Sequence, residues 1–444
     1  MNSIIIGVFA LGYLCIALEH KLKIDKAAIS LLMFGLIWSV YACCNPEGVG
    51  DSLIGHLGST CETLIFLIGA MTIVEIVDSH GGFSIITEYV TTRSKYTLLW
   101  VIAIMTFFLS AVLDNMTTAI VLIMMVRRIV PSTADRLLYA AIIVIAANSG
   151  GAWSPIGDVT TIMLWMRGNV TTLPLVMYLF VPCVVSLLVP TYFLSRKIGR
   201  HDMLAASAAE LHTTLPAGVG KRFSRMVLAV GVAGLLFVPI FKAITGLPPY
   251  IGIMVSLSVL WIITECAYAN KDSIPESHKN RVTKLLKRID MPTILFFLGI
   301  LMSVAGLQSV GLLSDAAHFL DTSIHEVFTI STIIGILSSV IDNVPLVAAC
   351  IGMYPVADVA SIAASIDPTY MQAFVQDGIF WLLLTYCAGV GGSMLIIGSA
   401  AGVVVMGLEK IDFTWYLKHI TPIMFLGYMA GVATIFVEWL LFFP

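Results

Sequence analysis

Two Asp-Asn pairs stand in the middle of long apolar runs. The first lies in Leu109-Ser110-Ala111-Val112-Leu113-Asp114-Asn115-Met116-Thr117-Thr118; the second, 228 residues later, lies in Leu337-Ser338-Ser339-Val340-Ile341-Asp342-Asn343-Val344-Pro345-Leu346. A carboxylate in an apolar run of membrane length is costly and marks a functional site by default. Asp, Asn, Ser and Thr are hard oxygen donors that suit a small desolvated cation, and two carboxylates disfavour an anion. Asp and Asn also cap helix starts, although Ser or Asn alone would do so with less desolvation. A third stretch, Asn148-Ser149-Gly150-Gly151-Ala152-Trp153-Ser154-Pro155-Ile156-Gly157-Asp158-Val159-Thr160-Thr161, breaks an apolar run with three glycines and a proline. Such breaks free backbone groups that need polar partners. Its counterpart at 389–402 carries Ser393 and Ser399 but no carboxylate, and Ser399 aligns with Asp158. The expected cation- and proton-binding set is therefore Asp114, Asn115, Thr117, Thr118, Asn148, Asp158, Thr160, Thr161, Ser338, Asp342, Asn343, Ser393 and Ser399, with its charge weighted toward the first half. Asp114, Asp158 and Asp342 would be the charged ligands.

The elements that must position these residues follow from composition. Of 444 residues 59% are hydrophobic and 11% charged, against about 25% charged in a soluble domain. The chain reads as an all-α polytopic membrane protein. Its net charge of −3 says little, because the placement of Lys and Arg governs orientation. The eight Cys show neither metal-ligand spacing nor a disulfide framework. The start, Met1-Asn2-Ser3-Ile4, lacks a basic region and reads as a first span rather than a cleaved signal. There is no nucleotide-binding motif, and neither nucleic acid nor nucleotide is expected as a partner.

A span needs about 20 apolar residues. Spans are expected near 2–19, 26–44, 60–79, 136–167, 172–195, 225–244, 249–268, 292–313, 378–408 and 420–442, with 136–167 and 378–408 broken by glycine. The stretches 97–130 and 324–357 divide at their Asp-Asn pairs into arms too short to cross. Arg93 and Lys95 precede the first of these, and Arg127, Arg128 and Arg136 follow its pair. A re-entrant hairpin keeps both clusters on one side, as the positive-inside rule asks; a crossing would not. No Lys or Arg occurs from Ile289 to Glu409, so the second hairpin should enter from outside. Both termini then come out external.

The halves repeat in order: Phe66-Leu67-Ile68-Gly69 with Phe296-Phe297-Leu298-Gly299, then the Asp-Asn stretches, then the glycine breaks. With five spans each, the second is inverted relative to the first, the architecture of secondary transporters. The expected organisation is a first inverted repeat over 1–200, a cytoplasmic linker over 201–224 and a second repeat over 225–444. Glu62 and Glu75 on the third span are candidates for a proton path. Asp78 reads as interfacial, as does Asp290, and His80 as a solvated end residue.

These motifs resemble the NhaD-type sodium/proton antiporters of the ion transporter superfamily, most specifically at 109–118, 146–161, 337–345 and 387–402. The resemblance implies exchange of sodium or lithium for protons, with Asp114, Asp158 and Asp342 as sodium ligands and no cofactor. It also implies a homodimer in the bilayer, with a scaffold and a moving domain that holds both hairpins, and a bacterial cell inner membrane as the location. Dicarboxylate carriers of the superfamily have Ser-Asn-Thr at the tips; Asp-Asn here fits a cation. Pro345 stands where the first tip has Thr117. The expected mechanism is competition of cation and proton for one site, carried across by alternating access. Two alternatives remain: an arsenite or carboxylate carrier of the same superfamily, and an intramembrane aspartyl protease, whose Gly-X-Gly-Asp sequence is absent.

Overall fold

A computed structural model describes residues 1–17, 22–44, 48–83, 90, 92–198, 204, 220–269, 279–340, 342–365 and 367–442. Among them every regular element is helical: α1 Asn2–Ala17, α2 Lys26–Cys44, α3 Val49–Ser79, α4 Lys95–Ser110, α5 Asn115–Ile129, α6 Thr133–Ala152, α7 Val159–Met166, α8 Thr172–Ser195, α9 Lys221–Thr245 and α10 Pro249–Ala269, then α11 Val282–Leu285, α12 Met291–Ser309, α13 Leu312–Ser323, α14 Val327–Ser338, α15 Asn343–Met353, α16 Val359–Ala364, α17 Pro368–Gln372, α18 Ile379–Gly391, α19 Ala400–Glu409, α20 Phe413–His419 and α21 Thr421–Phe442. Among the described residues seven helices are long and apolar enough to cross a membrane. With α1 and the broken pairs α6–α7 and α18–α19, they account for the ten crossings read from the sequence. Their outward faces carry large apolar side chains, such as Leu173, Ile244 and Ile262. In water such a surface would drive aggregation; in lipid it is the expected exterior.

Polar residues set where helices start. Ser94, Asp114, Ser132, Asp158, Asp290, Glu326, Asp342, Ser399 and Asp412 each accept a backbone N–H from the turn they precede. That satisfies donors an apolar surrounding would otherwise leave orphaned.

Both Asp-Asn stretches turn back on themselves. At one end of α4, Lys95 bonds Asp135 at 2.9 Å and its carbonyl accepts from Tyr139 at 2.7 Å. At the other end, Ser110 donates to the Ala147 carbonyl at 2.6 Å. Helices α4 and α6 therefore run parallel, and the chain has reversed between them through α5. The mouth of this hairpin is the start of α6. In the second stretch Ser338 donates to the Ala388 carbonyl at 2.8 Å. Its mouth gathers Asp321, Tyr354 and Tyr370, both tyrosines donating to Asp321, and His325 stacks on Tyr370. The two mouths lie at opposite ends of the broken helices. Arg127 and Arg136 from the first mouth clamp Glu409 at the end of α19. Beside the second mouth, Asp377 ties to Asn169 and Thr171 beyond the end of α7.

Each hairpin approaches its broken helix where only glycine fits. A Cβ on Gly150 would sit 2.1 Å from the Phe107 carbonyl oxygen, and one on Gly391 would sit 2.2 Å from that of Gly335. These packed pieces form one body of α4–α8, α14 and α18–α21, while α1–α3, α9, α10 and α12 pack as another. Helix α15 lies against α12 between them.

Several expectations need revision. The third span starts at Val49, not near 60; its 31 residues rise about 46 Å, more than the hydrocarbon thickness. Residues 49–59 are too polar and too glycine-rich to register as a span, yet no proline interrupts the helix there. The span expected at 292–313 ends at Ser309, where Gly311 (φ 80°) turns the chain into amphipathic α13. His80 is buried rather than solvated, between the rings of Phe223 and Tyr268. The linker expected at 201–224 lies mostly outside the described residues, as do Lys21, Arg200 and Lys271.

Candidate functional site

The hairpin tips meet where the two broken helices are interrupted. Asp158 ends the first interruption and caps α7 by accepting the Thr160 N–H at 3.1 Å. Its other oxygen accepts from the side-chain amide of Asn115 at 3.1 Å and from that of Asn343 at 3.5 Å. One buried carboxylate is thus approached by the Asn of both Asp-Asn pairs, from opposite hairpins. Asn115 also donates to Asn148 at 3.0 Å, and Asn148 donates to both Ser393 and Ser399 at 2.8 Å. All of these side chains are buried. Ser399 caps α19 as Asp158 caps α7, so the two positions are structurally as well as sequentially paired.

The order of depth differs from the sequence expectation. Asp114 turns back onto its own helix, accepting the Thr117 N–H at 2.7 Å and the Thr117 hydroxyl. Asp342 caps α15 through Val344. An N-cap side chain bends toward free N–H groups of its own first turn, which leaves the following Asn to reach inward. Among the described residues no three acidic, His or Cys side chains converge on one metal-sized position. One carboxylate, Asp158, is buried at the centre, and Asp114 and Asp342 stand at its rim as helix caps.

The supporting hydroxyls divide in the same way. Thr161 reaches toward the Ala152 carbonyl, and Ser338 is spent on hairpin packing. The buried Thr118 hydroxyl has no hydrogen-bond partner among the described residues. Thr160 is fully buried beside Asp158. Glu62 and Glu75 are not brought to the site: Glu75 accepts from Ser79 and pairs with Arg288 at 3.4 Å, and Glu62 is exposed.

A cavity of about 150 Å³ leads from this centre along α12 and α19. Asn115, Asp158, Asp342 and Asn343 line its inner end, with Lys26 and Asp290 in the same wall. The Lys26 ammonium lies 3.7 Å from Asp342 and 4.4 Å above the ring of Phe296. Neither Lys26 nor Asp290 was expected at the site. Asp290 carries a signal in hindsight: Asp290-Met291-Pro292-Thr293 repeats the Asp-x-x-Thr cap of Asp114 and Thr117. Lys26 carries none, since a cation at the start of an apolar run reads as a flank.

Chemically, the centre offers one carboxylate, three side-chain amides and two hydroxyls in a water-poor body. Amides can turn either oxygen or nitrogen inward. Turning their oxygens would give a desolvated monovalent cation much of the five or six oxygens it needs, by analogy with hard-cation sites.

A family model described as "Citrate transporter" matches residues 13–375. "Sodium/proton antiporter 1" of Arabidopsis thaliana is 44% identical over 430 residues, covering 96% of this chain and 70% of that protein. "Sodium/proton antiporter 2" of the same plant is 42% identical over 432 residues, 96% and 97% of the two chains. "Na(+)/H(+) antiporter NhaD" of Vibrio cholerae is 31% identical over 455 residues, 96% and 89%.

Proposed function

Because the chain belongs to the citrate transporter family, among its NhaD-type sodium/proton antiporters, we propose that it exchanges Na+ or Li+ for H+ across a membrane. It is a multi-pass carrier and not an enzyme. The observation that carries the site reading is the meeting of Asn115 and Asn343 on buried Asp158. Asn148, Ser393 and Ser399 complete the inner shell, and Asp114 and Asp342 hold negative charge at its rim. A cation needs Asp158 ionised, and a proton removes that charge, so each expels the other. One site of exclusive occupancy couples the two fluxes. Alternating access then follows from movement of the body holding both hairpins against the other body.

The first hairpin opens to the cytoplasm and the second to the outside, with both termini external. This orientation rests on the Lys and Arg bias. Residues 1–200 and 225–444 form the inverted repeats, and a homodimer in a bacterial cell inner membrane is the assembly we favour. The family description leaves a carboxylate carrier as the second reading. It fits the site less well, because the inner shell presents carboxylate and amides and no cationic side chain.

Proteoliposomes with an interior pH dye decide between them. Added Na+ or Li+ should dissipate a pH gradient while K+ and citrate do not. A response to citrate alone would overturn the antiport reading.

A further inference from the structure

An exchanger must prevent its empty site from crossing, or the downhill ion leaks. Nothing in the inner shell does this: Asp158 and both Asn residues belong to hairpin tips and broken helix, and travel together. The Lys26–Asp342 pair is different. Lys26 starts α2, which packs on α12 in the other body, and Asp342 sits at the second hairpin tip. The pair therefore ties α2 to a tip that α15 seats between the two bodies, at the boundary that alternating access must shear. Its side chains are 23% and 18% exposed, both in the wall of the cavity that leads to Asp158. At 3.7 Å the ammonium is close enough for attraction and too far for a tight hydrogen bond, so an arriving cation can displace it. Lys26 is held in place by the Phe296 ring, and Asp290 lines the same wall.

We propose that Lys26 is a built-in counter-cation that neutralises the rim carboxylate Asp342 when the site is empty and ties the hairpin tip to the other body. This rests on the antiport reading above. A cation beside Asp342, or a proton on it, weakens the pair, frees the tip and permits crossing; its departure lets Lys26 recapture the tip. Lys26 is a positioning residue. It contributes coupling and not chemistry.

The test uses the full chain in proteoliposomes, comparing wild type, Lys26→Met and Lys26→Arg. In Lys26→Met the protons moved per sodium should fall, and one-way sodium flux without counter-moving protons should rise. In detergent, apparent Na+ affinity read from sodium-dependent thermal shift should rise roughly two- to fivefold, the range for a part-exposed ion pair. Lys26→Arg should restore both. If affinity changes while the proton-to-sodium ratio stays at the wild-type value, Lys26 only shapes the field and the tether is overturned. If wild type shows neither sodium-dependent thermal shift nor proton flux, it is the antiport reading that fails. Should Lys26→Met not insert, hydrogen exchange on the wild type decides: amides over 24–30 should exchange faster in saturating Na+ than in K+, and equal rates would overturn the proposal.

Discussion

Asp158 is the carboxylate that the Asn residues of both tips reach, which is why we propose that it carries the site. Asp158→Asn keeps its shape and most of its hydrogen bonding but not its charge. The expected result is loss of apparent Na+ affinity of about tenfold or more, near 1.4 kcal/mol, at every pH where exchange survives. A shifted pH profile with unchanged sodium affinity would make Asp158 a proton carrier only. Its place at the end of the first break was legible in the sequence through the glycines and the Ser399 counterpart. What was not legible was which half of each Asp-Asn pair points inward. Adjacent residues at a helix start diverge by geometry that composition does not record. Lys26 and Asp290 were hidden for a related reason: a charge at the end of an apolar run is flank or site depending on what another part of the chain places beside it.

At the scale of the element, the two hairpins were legible because each arm is too short to cross and because the Lys and Arg residues fall on one side. The breaks fall where the Asp-Asn pairs stand, at 111–114 and 339–342. In a cysteine-free background, single cysteines at 94 and 132 should both react only from the cytoplasm, and those at 322 and 367 only from outside. Reaction of either pair from opposite sides would rule out re-entry. Helices α16 and α17 were not read, since pieces of six and five residues leave no periodic signature and are set by Asp358 and Asp367 caps. At Gly150 and Gly391 hairpin and broken helix meet backbone to backbone, with no room for a side chain between them.

At the scale of the whole molecule, Glu409 joins distant parts of the chain: its side chain is 2% exposed and held by Arg127 at 2.6 Å and Arg136 at 3.0 Å. This clamp joins the mouth of the first hairpin to the last turn of the second broken helix, so the two halves of the sequence share one body. Glu409→Gln should lower the thermal midpoint in detergent, with a loss of roughly 2–3 kcal/mol. That is less than for a fully buried pair, because Arg127 is 40% exposed. An unchanged midpoint would mean that the arginines are not holding the halves together. The division into two bodies was only partly legible, since contacts between residues nearly 300 apart have no local signal. Its last consequence is electrical. The carboxylates of Asp114 and Asp158 belong to one body and Lys26 to the other, with Asp342 at the tip between them. A charge carried through the full membrane voltage does work of about 2.3 kcal/mol per 100 mV. Voltage should therefore act on the crossing of the loaded carrier wherever that body keeps net charge: an inside-negative potential pushes an anionic body outward. A sodium jump on an adsorbed membrane should give a transient current whose size reports the charge a bound cation leaves uncompensated, and Asp158→Asn should shrink it.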